Sequence, residues 1–347
     1  MNNIIKLIDR LENNHTLELS EYEYLIENYS KEAQNYISQR AVTTRKNIYG
    51  NDIYVRGLIE ISNICKNNCF YCGIRRDNNN CSRYRLTDED ILSCVHQGYN
   101  LGFRTFVLQG GEDAYFTDEV LLPILTEIKN KYPDTAITLS LGERSKESYK
   151  KLFDAGADRY LLRHETADKE HYKMLHPSRM SFDNRIECLK NLKEIGYQVG
   201  CGFMVGSPYQ NAKTISKDLK FIEEFEPEMC GIGPFIAHKD TPFSDKSSGT
   251  LDMTLYLLSI LRLIKPNLLL PATTALGTIH SNGRELGILA GANVIMPNLS
   301  PISVRKKYEL YENKIYTGDE SATNIERLKQ SMELIGYTVV TDKGDPK

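Results

Sequence analysis

The chain has 347 residues, of which 41% are hydrophobic, and a formal net charge of −3. This length suits one large α/β barrel. The small net charge gives no field for a polyanion, so we expect no nucleic-acid partner. No apolar run approaches the roughly 20 residues that a membrane helix needs, so we expect no membrane span. Eight cysteines without an export signal predict a cytoplasmic protein whose thiols bind metal or stay buried.

The first 48 residues have helical patterns. Ile4, Leu7, Ile8 and Leu11 follow the i, i+3, i+4, i+7 spacing of an amphipathic helix. Ser20–Glu23 (SEYE) has the form of a capping box, and a further helix is expected over about 31–46. We therefore predict a helical extension over 1–48, a barrel domain over 49–300 and a C-terminal cap over 301–347.

From residue 52 onward, short apolar runs alternate with amphipathic stretches. Strands are predicted at 53–62, 105–110, 136–141, 159–164, 199–206, 228–235, 268–274 and 293–298. Helices are predicted near 88–100, 117–131, 145–155, 181–195, 212–225, 251–264 and 283–290. Eight strands with seven intervening helices predict a parallel (β/α)8 barrel of the TIM type, because an open doubly wound sheet fits this alternation less well.

Polar residues collect at or just past the ends of these predicted strands, which form the active face of such a barrel. They are Gln109, Glu112, Ser140, Glu143, Arg163, Glu165, Thr273, Thr274 and Asn298. Three cysteines, Cys65, Cys69 and Cys72, follow the first strand and belong to the same rim. This convergence predicts an enzyme.

The three cysteines are spaced C-x3-C-x2-C, with Tyr71 just before the last. A structural zinc site needs four ligands, and the fourth would have to come from Cys81, Cys94 or His96. Three thiolates suit a [4Fe–4S] cluster with one iron open to a ligand outside the protein. The spacing resembles the radical S-adenosylmethionine (radical SAM) signature, which implies cluster-dependent cleavage of SAM to a 5′-deoxyadenosyl radical.

Further segments agree with that resemblance. LQGGED (108–113) is similar to the GGE element of radical SAM barrels, where Gly110 and Gly111 would let SAM approach the backbone closely. GCGFMVG (200–206) does not have the spacing of a dinucleotide-binding loop, so a nicotinamide cofactor has less support.

Longer stretches resemble the HydE family of [FeFe]-hydrogenase maturases. They are YLLRHETA (160–167), GIGPFIAHKDTP (231–242), PATTALGT (271–278) and GANVIMPN (291–298). The resemblance implies an oxygen-sensitive maturase that works on the two-iron subsite of the H-cluster. Its substrate would be a small organometallic molecule, a cysteine-bound iron carbonyl cyanide complex. Partners would be other hydrogenase maturases and an electron donor such as a ferredoxin or flavodoxin.

The same resemblance implies roles for individual residues. Cys65, Cys69 and Cys72 would hold the cluster. Contacts with SAM would come from Tyr71, Gln109, Gly110, Gly111, Glu112, Ser140, Glu165, Arg185 and Met204. The substrate cavity and its anion sites would be lined by Thr138, Arg159, Arg163, Thr273, Thr274 and Tyr308. His164 fits a cavity contact and a packed rim residue equally well.

One departure from the family concerns a second cluster, which several members carry on C-terminal cysteines. The last cysteine here is Cys230, so a second cluster in that form is excluded. Two alternatives to the maturase stay open. One is a radical SAM mutase or sulfur-transfer enzyme acting on an amino acid, similar to methylornithine synthase or biotin synthase. The other is a non-catalytic carrier of the cluster or of the precursor.

Overall fold

Parallel strands close into a barrel in this computed structural model, which describes residues 2–316 and 321–347. The strands are β1 (Asp52–Val55), β2 (Gly57–Ser62), β3 (Thr105–Gly110), β4 (Ala136–Ser140), β5 (Arg159–Leu161), β6 (Gln198–Cys201), β7 (Met204–Val205), β8 (Met229–Cys230), β9 (Gly233–Pro234), β10 (Val294–Ile295) and β11 (Thr338–Val340).

The strand order shows how the barrel closes. One parallel sheet runs β2-β3-β4-β5-β6-β8, and β10 pairs with β1 in a second sheet. Isolated bridges join the two sheets, at Met229–Leu269, Pro271–Val294 and Leu58–Asn298. The predicted (β/α)8 barrel is therefore confirmed, with 268–274 as its seventh strand segment.

Three predicted strands are each broken in two. The run at 53–62 divides at Arg56, whose N–H donates to Ile295 on β10, while β2 pairs with β3. The runs at 199–206 and 228–235 break where Gly202 faces Gly231. A Cβ on Gly202 would lie 2.0 Å from the Gly231 carbonyl oxygen, so this close approach requires glycine.

Helices surround the barrel as predicted, with bounds that differ by at most two residues. They are α4 (Asp88–Asn100), α5 (Asp118–Lys131), α6 (Lys146–Asp154), α8 (Phe182–Ile195), α9 (Ala212–Phe225), α10 (Leu251–Ile264) and α12 (Gly283–Ile288). The short helices α7 (Lys169–Leu175) and α11 (Thr274–Ile279) were not predicted, because six or seven residues give too little periodicity. None of the helices in residues 2–316 and 321–347 is long and apolar enough to cross a membrane.

The N-terminal extension consists of α1 (Asn2–Asn14), α2 (Leu19–Glu27) and α3 (Lys31–Tyr49). Ile8 and Leu11 are fully buried, as the spacing predicted. The capping box was misplaced in the sequence analysis, because α2 begins at Leu19 and its box joins Glu18 and Glu21 instead of Ser20 and Glu23.

The C-terminal segment contains α13 (Ile302–Arg305), a 3-10 helix (Ala322–Asn324), α14 (Ile325–Leu334) and β11. It packs on the barrel from two sides. Tyr308 and Lys314 lie over the carboxyl ends of the strands, whereas β11 pairs with β1 and leads the tail under the amino ends. Residues 317–320 of the predicted cap lie outside the described residues, and the domain boundaries at 48 and 300 stay predictions.

Candidate active site

A cavity of about 340 Å³ opens at the carboxyl ends of the barrel strands. Loops that follow most of the strands meet around it, as expected for this fold. The predicted site residues that line it are Cys65, Cys69, Tyr71, Cys72, Gln109, Gly110, Gly111, Glu112, Ser140, Arg163, Glu165, Arg185, Met204, Thr273, Thr274 and Tyr308. Of the residues predicted to contact the cofactors or the substrate, only Thr138 and Arg159 do not line this cavity.

The loop that carries the cysteines is held from inside by one arginine. The Arg83 guanidinium donates to the carbonyl oxygens of Asn63 (2.6 Å), Ile74 (2.8 Å), Arg75 (2.6 Å) and Asn78 (3.0 Å). A planar guanidinium has five N–H donors in a fixed arrangement, so it can bind several carbonyls at once where a lysine cannot. Arg83 therefore fixes both ends of the loop around the thiols.

Gly111 allows this loop to pack against the end of β3. A Cβ on Gly111 would lie 2.2 Å from the carbonyl oxygen of Ile64 and 2.8 Å from Cβ of Cys65. The expected reason for this glycine was the close approach of SAM to the backbone. The structure gives a different reason, since the cysteine loop itself occupies the space.

Burial raises the pKa of all three thiols, and that of Cys72 reaches about 12. Neighbouring thiols raise the pKa of Cys69 and Cys72 further. The three cysteines are partly buried, and three neighbouring thiolates are stable there only if a cation balances them, which fits an iron–sulfur cluster held by this triplet. The chemistry of the donor set therefore suits the predicted cofactor.

The candidates for a fourth zinc ligand are elsewhere. Cys94 is buried in the hydrophobic core, His96 Nδ1 lies 2.6 Å from the Tyr132 hydroxyl, and Cys81 receives a contact from Asn63. None of the three lines the cavity. In residues 2–316 and 321–347, no group of three or more His, Cys, Asp or Glu side chains is arranged to hold a single metal ion. None of these three residues can therefore be the fourth ligand of a zinc ion bound by Cys65, Cys69 and Cys72.

Tyr71, the aromatic residue of the signature, is held by a neutral histidine. The Tyr71 hydroxyl lies 3.1 Å from Nε2 of His176, and His176 Nδ1 lies 2.9 Å from the Tyr172 carbonyl oxygen. Burial lowers the pKa of His176 to about 3, so Nδ1 donates and Nε2 accepts from Tyr71. The ring of Tyr71 is thereby fixed beside Cys72.

A second group of charges surrounds Arg185 on α8. Its Nε donates to Glu143 Oε1 at 2.6 Å, its Nη2 lies 3.8 Å from Glu112, and its Nη1 donates to the Arg163 carbonyl at 2.8 Å. Burial alone would lower the pKa of Arg185, but Tyr172 and the two carboxylates raise it well above the ordinary value. Arg185 therefore stays charged and joins the loops after β3, β4 and β5.

Below the main cavity lies a chamber of about 120 Å³ in the barrel lumen. Gln109, Arg163 and Thr273 line both spaces. Arg56 Nε and Nη2 and the hydroxyls of Thr138 and Thr273 make no hydrogen bond to the described residues. The chamber therefore offers several buried donors to a ligand, and Thr138 lines it as predicted for the substrate cavity.

Arg159 does not line either space, which corrects the prediction that it contacts the substrate. It is the first residue of β5, so it lies at the amino end of the barrel, opposite the active face. Its guanidinium donates to the Lys343 carbonyl (3.0 Å), the Gly344 carbonyl (3.2 Å) and Asp345 Oδ1 (2.7 Å). Arg159 therefore anchors the C-terminal tail.

Several cavity residues were missed by the sequence analysis. Arg56 and Glu60 are charges inside an otherwise apolar strand run, and this was an available signal. Glu60 is fully buried and accepts from Lys314 (2.6 Å) and Asn298 (2.9 Å). Met180, whose Sδ lies 3.7 Å from Cys69 Sγ, is in an irregular loop and gave no such signal.

Comparison with known proteins decides the family. Residues 59–222 match the radical SAM superfamily. The chain is 44% identical over 303 residues to the [FeFe] hydrogenase maturase subunit HydE of Thermotoga maritima, which covers 87% of this chain and 86% of that protein. The chain belongs to the HydE family.

Two further relatives share the barrel with this HydE family member. It is 29% identical over 311 residues to 3-methylornithine synthase of Methanosarcina barkeri, covering 88% of this chain and 86% of that protein. The crystal structure of methylornithine synthase (PylB) superposes with a TM-score of 0.83 at 26% identity, over 96% of this chain and 97% of that one. The predicted family and fold are therefore confirmed.

Membership also fixes the class of chemistry. The protein is a SAM-cleaving radical SAM enzyme, and the family implies a [4Fe–4S] cluster and SAM as its cofactors. The roles of individual site residues stay predictions.

Proposed function

We propose that this protein is a maturase that helps to assemble the two-iron subsite of the [FeFe]-hydrogenase H-cluster. It would act on a cysteine-bound iron complex with two carbonyl ligands and one cyanide. The observation that carries the proposal is the position of Cys65, Cys69 and Cys72 at the mouth of a cavity that continues into a donor-lined chamber. The relative that supports it is the 44% identical HydE.

In this proposal the three cysteines hold the cluster and the upper cavity holds SAM. When bound, the cluster supplies one electron and SAM supplies the 5′-deoxyadenosyl radical. Glu165 and Arg185 offer charged partners to the ribose and methionine portions, with Glu112 beside Arg185. The remaining proposed contacts, which line the same wall, are Tyr71, Gln109, Gly110, Gly111, Ser140 and Met204.

The substrate would occupy the lower part of the cavity and the chamber beneath it. Arginine offers a planar pair of donors to a carboxylate, and threonine hydroxyls donate to anions or to cyanide nitrogen. Arg163, Thr273, Thr274 and Tyr308 line the cavity, and Thr138 and Arg56 line the chamber. Arg56 is added to the predicted set because two of its nitrogens make no hydrogen bond to the described residues.

The active site must also be closed around its substrate, because a primary radical would attack almost any C–H bond in reach. Tyr308 and Lys314 of the C-terminal segment line the cavity, and Lys314 bonds to the buried Glu60. This contact holds the segment over the barrel mouth.

The proposal includes partners and a location. Other hydrogenase maturases would deliver or receive the iron complex, and a ferredoxin or flavodoxin would reduce the cluster. The eight cysteines are all free thiols, which supports a reducing compartment such as the cytoplasm.

The first test is SAM cleavage by the anaerobically reconstituted, dithionite-reduced protein. We expect methionine and 5′-deoxyadenosine from the unmodified protein and none from Cys69→Ala, which should keep the barrel fold. Cys81→Ala is a matched control, since Cys81 lies on the same loop but outside the cavity. Undiminished cleavage by Cys69→Ala, or zinc in place of iron and sulfide on analysis, would contradict the cluster assignment.

The second test separates the maturase from its alternatives. A synthetic cysteine–iron carbonyl cyanide complex should be consumed together with SAM, with new iron species in the EPR spectrum. A mutase would instead turn over an amino acid, and a carrier would cleave no SAM. Sulfur insertion from a second cluster has no support, since Cys81, Cys94, Cys188, Cys201 and Cys230 do not line the cavity.

A further inference from the structure

A histidine and an aspartate form a buried pair behind the wall of the active site. His164 follows β5, between Arg163 and Glu165, and Asp218 lies on α9. Both side chains are fully buried, with His164 Nε2 3.5 Å from Asp218 Oδ1. Neither residue lines the cavity or the chamber, so the question left open by the sequence is answered in favour of a packed histidine.

The pair connects two loops of the barrel rim. The N–H of Gly202, after β6, lies 3.2 Å from Nδ1 of His164. Nδ1 must therefore accept, which leaves the ring proton on Nε2 toward Asp218. On the other side, Asp218 Oδ1 accepts from the N–H of Ala167 at 2.5 Å.

Glu165 lies between these two attachment points in an unusual backbone conformation. Its φ of +64° is in the left-handed region, which residues other than glycine occupy only where the surroundings enforce it. Its N–H donates to the Gly202 carbonyl at 3.0 Å, and it forms a bridge with Phe203. Its carboxylate enters the cavity, 3.2 Å from Arg163 Nη2.

Asp218 is remote from solvent, and its contact with His164 is the 3.5 Å approach of Nε2 to Oδ1, because Oδ2 and Nε2 make no hydrogen bond to the described residues. Burial raises the pKa of Asp218, while His164 and the Ala167 N–H oppose that rise. The side chains of Phe203 and Phe221 surround the histidine ring, with centroids 6.0 Å and 4.7 Å away. A polar pair in such an apolar place fixes one arrangement of the loops it connects.

We propose that His164 and Asp218 are positioning residues that hold Glu165 in its left-handed conformation, so that its carboxylate points at SAM. This inference rests on the proposed function, because the contact between Glu165 and SAM is part of that proposal. A purely structural pair would support the barrel without any specific effect on SAM.

Asp218→Asn is the decisive variant, because it keeps the size of the side chain. The Ala167 N–H and His164 Nε2 both approach Oδ1 of Asp218. An amide oxygen in that place is an uncharged and weaker acceptor for both, and the NH2 then replaces Oδ2, which makes no hydrogen bond to the described residues. If the NH2 takes the place of Oδ1 instead, Ala167 loses its acceptor. We expect the dissociation constant of SAM for the reconstituted protein to rise at least tenfold, with unchanged iron and sulfide content.

A double-mutant comparison shows whether the effect passes through Glu165. Glu165→Gln should weaken SAM binding, and adding Asp218→Asn should then change it by less than twofold, since interacting sites are not additive. Lys217→Gln is the matched control. Lys217 neighbours Asp218 on α9 and binds Asp168 at 2.6 Å, without contacting Gly202 or Glu165, so its SAM affinity should be unchanged.

The outcomes separate the two proposals. If Glu165→Gln binds SAM normally, the proposed contact between Glu165 and SAM is wrong. If Glu165→Gln is impaired but Asp218→Asn is not, or if the two effects multiply, the positioning role is wrong. Should Asp218→Asn fail to fold, His164→Asn carries the same comparison, because its shorter amide can accept from Gly202 but ends the contact with Asp218.

Discussion

His176 lies beside the cysteine loop, buried between the Tyr172 carbonyl and the Tyr71 hydroxyl. Its pKa is about 3 in the folded protein against an ordinary 6.5. Between these values the unfolded chain binds one more proton, so acidification favours unfolding. We expect the free energy of unfolding to fall below pH 6.5, with a contribution from His176 of up to about 1.4 kcal/mol per pH unit.

Urea unfolding between pH 7 and 5 measures this contribution. His176→Gln should show a smaller decline over that range, whereas His280→Gln, which replaces an exposed histidine, should match the unmodified protein. If the free energy of unfolding declines equally with pH in all three proteins, protonation of His176 does not destabilise the fold.

Arg185 is a cation of the proposed SAM site and already has two carboxylate partners. Arg185→Ala should weaken SAM binding by about 1.5–3 kcal/mol if it makes a charged hydrogen bond. It also leaves Glu143 and Glu112 without their shared cation. Equilibrium binding of SAM to the reconstituted variant measures the loss, and Arg185→Lys, which keeps the charge, should lose less. Unchanged affinity in Arg185→Ala would remove this residue from the site.

For single residues, the sequence predicted which side chains lie at the cavity better than it predicted the reason for their presence there. Gln109, Ser140 and Glu165 lie at or just past the ends of strands, and this position identified them in the sequence. The substrate contact predicted for Arg159 came from the family resemblance and was wrong, although the predicted strand 159–164 already placed this residue at the amino end of the barrel. Met180 was out of reach, because the loop that brings it to Cys69 has no periodicity.

The C-terminal segment over the barrel mouth is attached by a buried ion pair. Lys314 and Glu60 are 2.6 Å apart, with 7% and 0% of their side chains exposed. Lys314→Met should lower the free energy of unfolding by about 3–5 kcal/mol, because it leaves the Glu60 carboxylate buried and unpaired. Urea unfolding measures the loss, and Glu60→Gln combined with Lys314→Met should recover most of it.

Lys329 provides the control on the same segment. It forms an i, i+3 pair with the exposed Glu326, so Lys329→Met should change stability by less than about 0.5 kcal/mol. A similar small change in Lys314→Met would mean that the segment is not held by this pair.

Elements with strong periodicity were predictable, and their interruptions were not. The helices α4, α5 and α8 each present one apolar face, which the sequence shows directly, whereas α10 is buried on all sides from Thr254 to Ile264. The breaks inside the first, fifth and sixth strand runs depend on which neighbour each half pairs with. That information lies in distant residues, such as Ile295 for Arg56.

The whole barrel is closed at its lower end by the C-terminal tail. Lys343 O accepts from Thr105 at 2.7 Å, and Asp345 binds Arg159 at 2.7 Å and Gln198 at 2.9 Å. Asp345→Ala should lower the free energy of unfolding by about 1–2 kcal/mol, a value reduced because this carboxylate is 53% exposed.

Asp345→Ala should lower stability without changing the affinity for SAM, because the cavity lies at the other end of the barrel. Glu333→Ala, which removes an exposed carboxylate of α14, should alter neither stability nor binding. Weakened SAM binding in Asp345→Ala would show that the two ends of the barrel are coupled.

The fold as a whole could be predicted from alternating strands and helices, but the role of the tail could not. Lys343 and Asp345 have no motif, and only the pairing of β11 with β1 brings them under the strands that begin at Thr105 and Arg159. Charged residues near a chain end otherwise resemble any solvated surface segment.

The pairing of Asp52 with Thr338 has a consequence for biosynthesis. The ribosome must translate as far as Thr338 before β11 can pair with β1 and the tail can cover the underside of the lumen. Until then a nascent chain leaves the amino ends of the barrel strands open to solvent.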